Sequence, residues 1–141
     1  MSFLNRSKVA VSCVMALCGL MHTGAQAQTE IQWWHSMLAV NGEWVNDLAK
    51  NFNASQKEYK VVPVFKGSYD ESMTAAVAAF RAGNAPHILQ VFEVGTATMM
   101  ASKGVIVPVG KVMQDAGLKF DQEAYVPAVS GYYTAPNGQM L

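Results

Sequence analysis

Between Glu30 and Phe92 the chain changes its hydrophobic period again and again, and that alternation limits its fold more than any other feature. Glu30 to His35 (EIQWWH) is short and aromatic, polar residues follow it, and it reads as a strand. Trp44, Leu48 and Phe52 then recur every fourth residue, with Val45 and Ala49 beside them, which predicts a helix. Asn41 is its expected N-cap, and Glu43 suits its first turn. Tyr59 to Phe65 (YKVVPVF) is β-branched and apolar, hence a second strand, and Pro63 inside it points to an edge or an irregularity. Tyr69 to Ala82 is rich in alanine and places Met73, Val77 and Phe80 on one helical face. Gly83 ends that helix and Pro86 prevents its restart. Ile88 to Phe92 (ILQVF) is nearly all apolar, as expected of a strand in the middle of a sheet.

Strand, helix, strand, helix, strand at this spacing implies parallel pairing through right-handed crossovers, an α/β fold. Ligands of such open sheets bind just past the carboxyl ends of the strands. The loops to inspect are therefore His35-Ser36-Met37, Lys66 to Asp70, and Glu93-Val94-Gly95. Downstream, Gly95 to Lys103 and Pro108 to Ala116 read as short helices. Phe120 to Leu141 reads as mostly loop, with one strand near its end, because Pro127, Gly131, Pro136 and Gly138 punctuate it.

The first 27 residues form a different kind of segment. Arg6 and Lys8 precede an apolar run from Val9 to Leu20, and Ala25-Gln26-Ala27 follows it. The run is shorter than the roughly 20 residues that span a bilayer. Charge, apolar run and small-x-small site in that order describe a cleavable signal peptide, so residues 1–27 are expected to be removed on export. Cys13 and Cys18, the chain's two cysteines, both lie inside it. The segment 28–141 is therefore expected to be cysteine-free and to tolerate an oxidising compartment without disulfides. It is also slightly acidic. Lys+Arg and Asp+Glu number 10 each over the whole chain, and the leader takes two positive charges and no acid. No excess of Lys/Arg is left to neutralise phosphates, which excludes nucleic acid as a partner.

Two residues carry the expected chemistry. Glu93 directly follows an apolar strand and is expected to point away from the core, because an unpaired buried carboxylate is costly. It could accept hydrogen bonds from ligand hydroxyls or serve as an N-cap partner for Gly95-Thr96. Tyr69 ends the run Lys66-Gly67-Ser68-Tyr69, where glycine permits a sharp bend. Its ring and hydroxyl suit a polyol, although the residues alone favour a surface tyrosine that merely begins a helix. Trp33 and Trp34 face opposite ways, so one belongs to the core and the other can face the loops. His35 and Ser36 also point apart and do not form a catalytic pair. Val129-Ser130-Gly131 lacks the first glycine of a nucleophile elbow. With His35 and His87 the only histidines beyond the leader, no metal-ligand spacing is present, and no catalytic residue, metal or cofactor is expected.

Taken together, Trp34-His35-Ser36-Met37, Phe52-Asn53-Ala54, Tyr69, Phe80-Arg81-Ala82-Gly83-Asn84-Ala85-Pro86 and Gln90 to Thr96 resemble the extracellular solute-binding proteins of ABC importers (family 1). Leu89 to Lys103, with Val129-Ser130-Gly131-Tyr132-Tyr133, is most similar to members that take sn-glycerol 3-phosphate. The resemblance implies a periplasmic-binding-protein-like, class II fold of two lobes, with 28–141 holding most of the first lobe. It implies Tyr69 and Glu93 as contacts to the polyol end of the ligand. The phosphate contacts are implied beyond Leu141, so this chain alone is expected to bind weakly. The implied role is periplasmic capture of sn-glycerol 3-phosphate, or a glycerophosphodiester, for delivery to permease subunits in the inner membrane. A sugar- or oligosaccharide-binding protein of the same family is the alternative, and an exported hydrolase of glycerophosphodiesters a more distant one.

Overall fold

A computed structural model describes residues 27–102 and 104–141 of the chain. Apart from Ala27, the expected signal peptide lies outside the described residues. Three parallel strands form a sheet in the order β2-β1-β3, where β1 is Thr29–His35, β2 is Tyr59–Phe65 and β3 is Ile88–Leu89. The helices are α1 (Ala39–Ser55), α2 (Tyr69–Arg81), α3 (Thr96–Ala101), α4 (Val109–Asp115) and α5 (Pro127–Tyr132). Short 3₁₀ turns occupy Glu93–Gly95 and Gln122–Ala124. The alternation and the parallel pairing expected from sequence are both present. Pro63 sits on β2, an edge strand of this sheet, where its missing N–H is tolerated.

Register fixes the faces. Trp33 lies beside Pro63 and Ile88, and Trp34 beside Val64 and Leu89. Because alternate residues face opposite ways, Ile31, Trp33, Val61 and Ile88 share one face. The α1 residues Leu48, Ala49 and Phe52 line a groove with them. The chain then runs from β2 back past β1 to β3, and a right-handed crossover in that direction sets α2 on the other face.

Each helix packs slightly rotated from the expected stripe. In α1 the buried residues are Val45 and Ala49, while Trp44, Leu48 and Phe52 remain partly exposed. In α2 they are Ser72 and Ala76, while Val77 and Phe80 stay exposed. Small side chains let the helix axis approach the sheet, and the large ones flank the contact.

Three other expectations are corrected. Asn41 is not the N-cap, nor is Glu43 in the first turn. The helix begins at Ala39 because the Gly42 N–H already donates to the Leu38 carbonyl at 3.2 Å, and Leu38 caps without a side-chain bond. The third strand does not run to Phe92, and it lies at an edge of this sheet rather than in its middle. Gln90 N–H still donates to the Trp34 carbonyl, but the Gln90 side chain then takes the Ser36 N–H, and the backbone is free to leave. Finally, the stretch from Phe120 contains α5, opened by Pro127 in the first turn. A single antiparallel bridge, Thr134 to Met140, replaces the expected late strand.

Candidate functional site

In the order β2-β1-β3 the chain moves from β1 to one side and returns to the other, so the carboxyl ends of β1 and β3 flank a topological switch point. In open sheets such a point is where a crevice forms, because the two crossovers leave on opposite faces. The loops on either side of this point are tied together. The Ser36 N–H donates to Gln90 Oε1 at 3.0 Å, joining the loop after β1 to the loop after β3. The Met37 N–H donates to His35 Nδ1 at 3.3 Å. His35 is buried, and burial pushes its imidazole below the ordinary value. Ala39, at the start of α1, has φ 47°, the left-handed region that a β-carbon disfavours.

The loop after β2 delivers Tyr69. Gly67 turns the chain with φ 80°, a conformation suited to glycine. Ser68 then caps α2 in a reciprocal box: its hydroxyl accepts from the Glu71 N–H, and Glu71 Oε2 accepts from the Ser68 N–H at 2.7 Å. These bonds hold the Glu71 carboxyl below its ordinary value, and they keep it occupied at the helix end. Tyr69, the first residue of α2, is half-buried with its ring stacked on Phe92, the centroids 4.8 Å apart and the planes at 17°. Phe92 immediately precedes Glu93. The stack therefore brings the loops after β2 and β3, and with them both sequence-expected site residues, to one rim.

Glu93 is exposed, as expected, and opens the 3₁₀ turn leading into α3. The reading of Glu93 as a side-chain cap for Gly95-Thr96 does not hold: the 3₁₀ turn opens without a side-chain cap bond, and it is the Glu93 main-chain carbonyl that takes the Thr96 N–H. Among the described residues its carboxylate has no hydrogen-bond partner, which leaves its acceptors for a ligand. Its main-chain carbonyl is occupied twice, by the Thr96 N–H and by the Tyr132 hydroxyl at 2.8 Å.

Behind the rim, Lys66 places its Nζ 3.8 Å from the centroid of the buried Trp34 ring. Trp34 is buried and Trp33 faces the α1-side groove, so the two rings do lie on opposite faces and Trp33 is not turned toward the loops. A stacked aromatic pair, with an exposed carboxylate on the residue after Phe92, offers the kinds of group that hold a polyol, rings for its carbon face and carboxylate oxygens for its hydroxyls. Sequence reasoning missed Phe92, Gln90 and Tyr132. Phe92 was legible in principle, since an aromatic at the end of a buried strand next to Glu93 has to leave the core with it. Nothing local marks Gln90 or Tyr132, whose partners are 54 and 39 residues away.

The family profile of the bacterial extracellular solute-binding proteins matches residues 35–139. The chain is 54% identical over 135 residues to the sn-glycerol-3-phosphate-binding periplasmic protein UgpB of Pectobacterium atrosepticum, a match covering 95% of this chain and 30% of that protein. It is 52% identical over 117 residues to the UgpB of Brucella abortus, covering 83% and 27% respectively. With the UgpB of Yersinia pestis it is 51% identical over 138 residues, covering 97% and 31%. The chain thus spans about three-tenths of the length of the curated relatives it matches.

Proposed function

The chain belongs to the bacterial extracellular solute-binding protein family, and on that premise we propose that it forms one wall of the ligand cleft of an importer's binding protein. Its ligand is sn-glycerol 3-phosphate or a glycerophosphodiester, captured in the periplasm after signal cleavage at Ala27 and passed to the permease subunits of an ABC importer. The protein is a carrier and not an enzyme. In full it has two lobes of the class II arrangement, which close on the ligand. Tyr69 covers the carbon face of the glycerol end, with Phe92 behind it, and Glu93 accepts hydrogen bonds from the glycerol hydroxyls. The phosphate lies away from Glu93, which would repel it, and is held by the opposing lobe.

The observation that carries this reading is the Tyr69–Phe92 stack at 4.8 Å, next in the chain to Glu93, whose carboxylate has no hydrogen-bond partner among the described residues, at the switch point of a parallel sheet. Relatives named for binding sn-glycerol 3-phosphate, more than half identical over nearly all of this chain, support the ligand. Calorimetry on the full-length protein with sn-glycerol 3-phosphate, glycerophosphocholine and maltose tests it. The expected result is tight binding of the first or second ligand, with Glu93→Gln losing roughly 10- to 100-fold, the range for a hydrogen bond to a charged group. Preference for maltose, or an unchanged affinity in Glu93→Gln, would sink the reading. The 141-residue chain by itself is expected to show no micromolar affinity.

A further inference from the structure

Ser130-Gly131-Tyr132-Tyr133 stands out in the sequence but contributes no side chain to the proposed ligand contacts. We infer that Tyr132 is a positioning residue for Glu93. Its hydroxyl donates to the Glu93 carbonyl at 2.8 Å, although the two residues are 39 apart in sequence. The same carbonyl accepts the Thr96 N–H, so both of its lone pairs are used and the peptide plane cannot rotate without losing a bond. Among the described residues, no other hydrogen bond ties the segment from Glu93 to Thr96 to a distant part of the chain. The other bond in the turn, Gly95 N–H to the Phe92 carbonyl at 2.8 Å, is local.

The tether is itself anchored. Tyr132 is the last residue of α5, and its ring meets Tyr133 edge-on, with centroids 5.0 Å apart. The Tyr133 carbonyl accepts the Leu141 N–H at 2.9 Å, the Thr134 hydroxyl returns to the Ser130 carbonyl at 2.6 Å, and Met140, bridged to Thr134, is buried. The Tyr132 side chain is about half exposed, so burial contributes little and the hydroxyl bond is what it offers. A carboxylate on a short exposed turn would otherwise sample many directions. Fixing its peptide in advance removes an ordering cost from binding.

This inference rests on the reading of Glu93 as a ligand contact, and a double-mutant cycle separates the two. Tyr132→Phe, Glu93→Gln and the double variant are compared by calorimetry with sn-glycerol 3-phosphate on the full-length protein, with Tyr133→Phe as control. Tyr132→Phe is expected to weaken binding roughly three- to tenfold. It should cost less than about twofold once Glu93 is Gln, because the two groups act through one another. Tyr133→Phe should change nothing. Multiplicative losses would overturn the positioning role while leaving Glu93 as a contact. A Glu93→Gln variant with full affinity would instead overturn the ligand reading. Amide hydrogen exchange needs no ligand and tests the tether directly. Tyr132→Phe should speed exchange at Gly95 and Thr96 and leave Ser36 and Gln90 unchanged. Unaltered exchange at Gly95 would overturn the inference whatever the protein binds.

Discussion

His35 illustrates how one side chain couples the site to the stability of the fold. Its ring is buried, and Nδ1 serves as the acceptor for the Met37 N–H, a role that a protonated imidazole cannot fill. The folded state therefore disfavours the proton, and the histidine titrates below its ordinary 6.5. The unfolded chain, titrating near 6.5, then binds more protons than the fold. The stabilising contribution is complete above 6.5 and is lost as pH falls through the lower folded value. Denaturant unfolding at pH 7.5 and 5.5 should show that loss, and His35→Asn, which keeps a side-chain acceptor, should flatten the slope. An equal slope in the variant would remove His35 as the cause. At this scale sequence alone drew attention to Tyr69 and Glu93, because each lies in the segment that follows a strand, where ligands of open sheets bind. Tyr132 was beyond its reach, because a bond between residues 39 apart leaves no local period or composition to detect.

At the scale of elements, the Ser68–Glu71 box sets the start of α2 and so the position of the Tyr69 ring. Removing the cap hydroxyl by Ser68→Ala should cost about 1 kcal/mol of stability, read as a shift in the denaturation midpoint with an unchanged slope. A shift within error would show that Glu71 alone holds the helix end. The first two strands and the first two helices were legible because each is long enough for its period to repeat. The error lay in which face packs. A stripe drawn through the largest residues, Trp44, Leu48 and Phe52, puts Val45 and Ala49 only at its side, whereas those two smaller residues are the ones buried against the sheet. The third strand was overestimated, because a side-chain amide ends the pairing at Gln90 and hydrophobicity carries no sign of that. Helix α5 was hidden by its own Pro127 and Gly131. Proline is tolerated in a first helical turn, and the glycine sits next to the helix end, so neither breaks it.

For the molecule as a whole, the α1 face of the sheet is only partly covered. Ile31, Trp33, Leu48, Phe52, Tyr59 and Ile88 line an open groove of about 360 Å³ whose walls are almost wholly apolar. A contiguous apolar surface of this kind marks an interface or an aggregation hazard. The 141-residue chain should therefore enhance the fluorescence of an apolar dye, and Phe52→Gln should cut that enhancement to roughly half while leaving helical content unchanged. An equal signal in the variant would place the dye elsewhere. The opposite end of the sheet has a different character. The amide tie between Ser36 and Gln90 and the Tyr69–Phe92 stack hold the loops after the three strands in place. On the function proposed above, a solute meeting such a wall does not have to wait for loops to assemble. Capture should then run at the rate set by diffusion and orientation, and the difference between a right and a wrong solute should appear in how long each one stays.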